Sequence, residues 1–213
     1  MRVLWLVLGI VLLSTIAHAR RLVIMEPTIA MRCPRAPTWE AMDKCVRNFG
    51  RPTTLKDQPD LKILAVASPS TPSYGLGIFL FLRKDKAWIL GGMQEGDRLD
   101  LLSAAPITLN RHAGYRLEIG QTLRTSVMQD DGTATPGIVR YLRTLYCSGD
   151  NYNCTQVISL CEVFVGGKVT QLFRGTISVK DQNLLEVDGD RSRAGTSCRV
   201  GERAYLGWSP NTP

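Results

Sequence analysis

Histidine is nearly absent from this chain: 213 residues hold two, His18 and His112. A mechanism that needs a Ser-His or Cys-His pair has almost nothing to run through, and a metal site built on several imidazoles is excluded. No G-x-S-x-G elbow, H-E-x-x-H motif, C-x-x-C pair or phosphate-binding glycine loop occurs, so the common signatures of hydrolases, metalloproteases, thiol oxidoreductases and nucleotide binders are missing. No run of five or six like charges marks a polyelectrolyte tail. After the first nineteen residues there is no apolar run long enough to cross a bilayer as a helix.

Those first nineteen residues are the clearest positive signal. Arg2 supplies a positive start, Val3 to Ile16 is almost unbroken apolar sequence, and Ala17-His18-Ala19 has the small-x-small form that a signal peptidase cuts after. The expectation is a secretory leader over residues 1–19 and a mature chain beginning at Arg20, exported to a periplasm or to the extracellular space. His18 and Arg2 leave with the leader. The mature protein then owns one histidine, His112, and its net charge falls by one from +7 to +6.

All six cysteines lie in the mature part: Cys33, Cys45, Cys147, Cys154, Cys161 and Cys198. An even count in an oxidising compartment reads as three bridges. Zinc would need close pairs such as C-x2-C, whereas the gaps here are 11, 101, 6, 6 and 36 residues. Cys33 precedes an expected helix that contains Cys45, and Cys147 and Cys154 flank a polar hairpin tip. In a regular strand the odd separation of Cys154 and Cys161 puts them on opposite faces. The preferred pairs are therefore Cys33–Cys45, Cys147–Cys154 and Cys161–Cys198.

The expected fold is mainly β with some α: an antiparallel meander or sandwich with one N-terminal helix. Residues 20–60 read as a proline-bearing lead-in and a helix, and residues 61–213 as the β domain packed with it. Thr38 can cap the helix, Trp39, Met42, Val46 and Phe49 recur at helical spacing, and Gly50 with Pro52 stops it. Lys62 to Ala67 reads as a strand, and Leu76–Leu82 with Ala87–Leu90 as a hairpin around the charged turn Arg83-Lys84-Asp85-Lys86, closed by Gly91-Gly92. Tyr115, Leu117, Ile119, Leu123 and Val127 alternate with Arg116, Glu118, Thr122, Arg124 and Ser126, giving one wet face. Asp131-Gly132, Gly166-Gly167 and Asp188-Gly189 read as turns, with Val169, Phe173, Ile177 and Val179 facing inward between the last two.

Candidate contact residues are few. Aromatics make up 7% of the chain, and most fall where a core would use them. Tyr152 is the exception, standing among Asp150, Asn151 and Asn153 at the hairpin tip. The densest basic cluster is Arg191, Arg193, Arg199 and Arg203, with only Asp190 and Glu202 nearby. In an exported protein it points to an anionic polysaccharide, an envelope surface or a protein partner ahead of nucleic acid. No cofactor, metal or catalytic group is expected. The functional expectation is a non-enzymatic binding or envelope-associated module. Its rival is a secreted hydrolase using His112 as base or the carboxylates of Glu95 and Asp97. Expression of the full chain with export should yield a protein whose first residue is Arg20 by N-terminal sequencing. Thiol titration after unfolding without reductant should find essentially no free thiol.

Overall fold

The computed structural model describes residues 28–70, 75–96, 98–109, 112–129, 131–148, 154–180, 184–198 and 201–205. The leader and its cleavage site lie outside the described residues. In chain order the elements are α1 (Ile29–Arg32), β1 (Arg35–Ala36), α2 (Trp39–Arg47), β2 (Arg51–Gln58), β3 (Leu61–Ala67), β4 (Gly75–Lys84), β5 (Ala87–Glu95) and β6 (Leu99–Leu109). They continue with β7 (His112–Met128), β8 (Ala134–Cys147), β9 (Thr155–Val165), β10 (Lys168–Lys180), β11 (Leu184–Asp190) and β12 (Arg203–Tyr205). Two antiparallel sheets result, one ordered β1-β5-β4-β3-β2 and the other running from β6 to β12 as a meander.

Helix α2 forms where the apolar spacing and the cap coincide. The Thr38 hydroxyl accepts from the Ala41 amide at 3.3 Å, Glu40 lies in the first turn, and Lys44 and Arg47 lie in the last. Each charge suits the end of the helix dipole that it occupies. Met42 and Val46 are fully buried against Leu64, Val66, Phe79, Phe81 and Trp88. Trp39 meets Phe81 and Trp88 edge-on, with centroids 5.8 and 5.1 Å apart. The Lys62 ammonium lies 5.4 and 5.6 Å from the centres of the two indoles.

The five-stranded sheet is covered on both faces, by α2 on one side and by the second sheet on the other. Leu61, Ile63, Ile78 and Leu80 pack against Leu117, Ile119, Leu145 and Cys147 of the seven-stranded sheet. Double coverage explains why β4 reads as a continuous apolar run, Ile78-Phe79-Leu80-Phe81, rather than an alternating one. A third cluster fills the far half of the second sheet: Val127, Val139, Val163, Phe173, Leu185 and Val187 with Cys161, Cys198 and Ala194.

Three disulfides tie these layers, Cys33–Cys45, Cys147–Cys154 and Cys161–Cys198, with Cα atoms 5.9, 4.4 and 5.6 Å apart. The first pins α1 to α2 and the third fastens the loop after β11 onto β9. The second lies between the sheets: a Cβ placed on Gly92 of β5 would stand 2.6 Å from the Cys154 sulfur and 2.7 Å from that of Cys147.

Several local expectations are overturned. Gly91-Gly92 does not close the hairpin; β5 runs through both to Glu95, with Gly91 the extra residue of a bulge opposite Leu80 and Phe81. The turn itself is Asp85-Lys86, both with positive φ (49° and 61°), as the twist of a two-residue hairpin requires. Asp188-Gly189 is strand, and Gly189 stands opposite Gly175 because each leaves room for the facing backbone. Gly50 has no positive φ. The helix ends at Arg47, and Gly50 is small because it lies against the Ala67 carbonyl.

A bulge at Thr170 turns Val169 outward to 38% exposure, and Val179, near the end of β10, is 43% exposed. The lead-in is briefly extended, where β1 pairs with β5. Strands β2 and β6 were not anticipated. Both are edge strands, rich in exposed residues and carrying Pro52 and Pro106, and neither shows the alternation of a half-buried strand.

Gly92→Ala should lower stability by about 1–3 kcal/mol through overpacking against the sulfurs. In a Cys147→Ala/Cys154→Ala background, where the sulfurs are gone, the same substitution should cost clearly less. Urea unfolding of the four proteins measures the coupling.

Candidate binding surface

The sequence-derived candidates scatter. Tyr152, Arg199 and Asp97 lie outside the described residues. His112 is not in a connector: its backbone opens β7 opposite Leu109, and its side chain lies outside what is described. Glu95 is exposed at the end of β5, beside a recess of about 270 Å³ lined by Thr28, Ile29, Phe49, Gly75, Leu76 and Phe79. Among the described residues no second carboxylate lines that recess.

Arg191 is engaged within the fold. Its guanidinium stacks 5.0 Å from the centre of the Phe173 ring, Nη2 donates to the Val187 carbonyl at 3.0 Å, and Nε lies 3.7 Å from Glu202. Arg193 is exposed, while its carbonyl accepts from the Leu172 amide at 2.8 Å. The two neighbours therefore do different things, one holding the loop after β11 and one facing water. That loop is also fastened by Gln171, 5% exposed. Its Nε2 donates to the Met128 carbonyl at 3.1 Å and its Oε1 accepts from the Ser197 amide at 3.0 Å.

Part of the charge on β10 and β11 is mutually satisfied. Lys180 and Arg203 both pair with Glu186 beside a groove of about 430 Å³ that also carries Asp188, Glu202 and Arg191. The hydrogen bond from Lys180 holds the Glu186 carboxyl below its ordinary range. Arg143, half-buried on β8, has neutral partners: Gln121 Oε1 and Gln156 Oε1, each at 3.1 Å, with the Tyr141 ring 5.1 Å from the guanidinium carbon. Burial lowers its pKa.

A more open arrangement lies on the solvent face of β7, β8 and β9. Ladder pairing places Arg124 opposite Ile138, which faces Phe164, while the next row is Thr122, Arg140 and Glu162. Arg124 and Arg140 are thus diagonal neighbours, with Cα atoms about 7–8 Å apart by sheet geometry. Arg140 stands opposite Glu162, yet its guanidinium lies over the Phe164 ring, 4.7 Å from the centroid. Both arginines are exposed, and among the described residues neither makes an ion pair.

They line a groove of about 830 Å³ with Thr125, Ser126, Pro136, Gly137, Ile138, Phe164, Gly166 and Gly167, and among the described residues no acidic side chain lines it. The Gly166-Gly167 turn, with φ of 57° and 78°, closes one end with bare backbone. Of this constellation the sequence announces the outward position of Arg124. The alignment of Arg124 with Arg140 and Phe164 depends on a register between strands that alternation alone does not encode.

Among the described residues no group of three or more His, Cys, Asp or Glu side chains is placed to hold a metal ion, and no helix is long and apolar enough to cross a membrane. Comparison with family models, with curated proteins and with solved structures finds no match to this chain.

Gln171→Ala leaves the Ser197 amide without its side-chain acceptor and the Met128 carbonyl with only the long contact from the Thr196 hydroxyl, and should cost about 1–3 kcal/mol in urea unfolding. Glu186 carries a pH signature. A carboxylate with a depressed folded-state pKa contributes stability above its unfolded pKa of about 4.3 and loses it as pH falls through the folded value. Glu186→Gln should therefore flatten the fall in melting temperature between about pH 5 and pH 3.

Proposed function

We propose that the protein is an exported, non-enzymatic binding module that holds an anionic partner in the groove over β7, β8 and β9. The observation that carries this reading is the pair of exposed arginines, Arg124 and Arg140, unpaired among the described residues in a groove that no described acidic side chain lines. Two like charges this close cost the free protein a little, and an anion laid across them relieves that cost. A rigid sheet supports the site, so little conformational entropy is lost on binding. Export is supported by the leader pattern of residues 1–19 and by three disulfides, which belong to oxidising compartments. Arg191, held by Phe173, Val187 and Glu202, is engaged within the fold and takes no part in the groove.

Retention of the mature protein on a heparin column should fall steeply as salt rises and should weaken in an Arg124→Ala/Arg140→Ala variant of unchanged circular dichroism. Retention that the double substitution leaves untouched would remove the groove from consideration. A panel of glycan and ester substrates should show no turnover; pH-dependent turnover lost in His112→Ala, or in Glu95 and Asp97 variants, would replace the binding reading with a hydrolase.

A further inference from the structure

Resting on that reading, we infer that the groove's ligand is an acidic polysaccharide, whose carboxylate or sulfate groups sit between Arg124 and Arg140. Phe164 acts as the positioning residue for Arg140. The ring lies 4.7 Å from the guanidinium, which makes no ion pair with Glu162, its neighbour across the strands. A planar guanidinium fixed on an aromatic face keeps N–H edges available to a bidentate oxyanion, and it loses less rotamer freedom on binding than an unsupported one.

The rest of the lining selects among anionic polymers. Thr125, Ser126 and the bare backbone of Gly166 and Gly167 are hydrogen-bonding groups of the kind that sugar hydroxyls engage. Single-stranded nucleic acid would call for open aromatic faces to stack its bases, and the one aromatic in the groove is already covered by Arg140. An anionic membrane would call for an apolar wedge beside the charges. Ile138 and Phe164, the large apolar side chains here, are both half-buried within the sheet surface. Glu162, at the edge of the arginine row, works against dense phosphate and favours a polymer whose charges are spaced by neutral ring atoms.

The test is a titration of the disulfide-intact mature protein with polygalacturonate, carboxylate only, and with heparin oligosaccharide, sulfate-rich. Single-stranded DNA, phosphatidylglycerol vesicles and neutral dextran are run beside them at the same salt. At least one acidic polysaccharide should bind more tightly than DNA or vesicles, and dextran should not bind. Arg124→Ala and Arg140→Ala should each weaken that binding about tenfold and make it less salt-dependent. Phe164→Leu should weaken it while keeping the wild-type salt dependence, because the charge count is unchanged, and Phe164→Tyr should restore it. A substitution at Phe164 that merely loosened the fold would lower the melting temperature in step with affinity, and that result overturns the positioning role. Tighter binding to DNA or to vesicles, still lost in the arginine variants, overturns the polysaccharide and leaves the anion-binding groove standing. Binding to no anion at all overturns both.

Discussion

The structure turns on how two sheets are held together where they touch. The Cys147–Cys154 bridge joins neighbouring strands of the larger sheet, and its sulfurs press onto Gly92 in the smaller one. A cystine offers bulk without polarity, and a glycine without a side chain offers the space to receive it. Around this contact Leu61, Ile63, Ile78 and Leu80 meet Leu117, Ile119 and Leu145. The smaller sheet must therefore be apolar on both faces, and α2 covers the face left over. Helix, sheet and sheet thus stack in an order that follows from one covalent link and one missing side chain.

What could be read from the chain beforehand follows the range of the interactions involved. Helix α2 was legible because its cap, its stripe and its terminal charges all lie within a few residues of one another. The Gly166-Gly167 hairpin was legible for the same reason. Glycine elsewhere misled, because it has two uses that look alike in sequence. At Gly166 and Gly167 it supplies a positive φ; at Gly50, Gly92 and Gly189 it makes room for a neighbour from a distant part of the chain. Strands β2 and β6 escaped notice because an edge strand owes its conformation to the ladder of its partner and not to its own alternation.

The candidate surface shows the same division. That Arg124 faces water follows from period-two spacing along β7. That it stands diagonal to Arg140, and that Arg140 rests on Phe164, requires the registers of β7 with β8 and of β8 with β9. The arginines near the C-terminus drew attention by being close in sequence, yet Arg191 turns inward onto Phe173 while Arg193 faces solvent. Density of charge along a chain and density of available charge on a surface are different quantities. The second depends on which carbonyls and rings lie within reach.

The outer strands also bear on how these molecules meet one another. β1 has two residues and β12 three, while β2 and β6 carry prolines, and β6 is broken by a bulge at Leu102. Lys56 of β2 reaches across to donate to the Ala104 carbonyl of β6 at 2.8 Å, occupying an acceptor on that margin. Two broad sheets, with twelve strands among the described residues, would otherwise present long templates for strand addition. Here each template is too short, too interrupted or already occupied. Crowded copies are left to meet through side chains rather than backbone, which disfavours growth into fibres and keeps the outer face of the larger sheet free for other contacts.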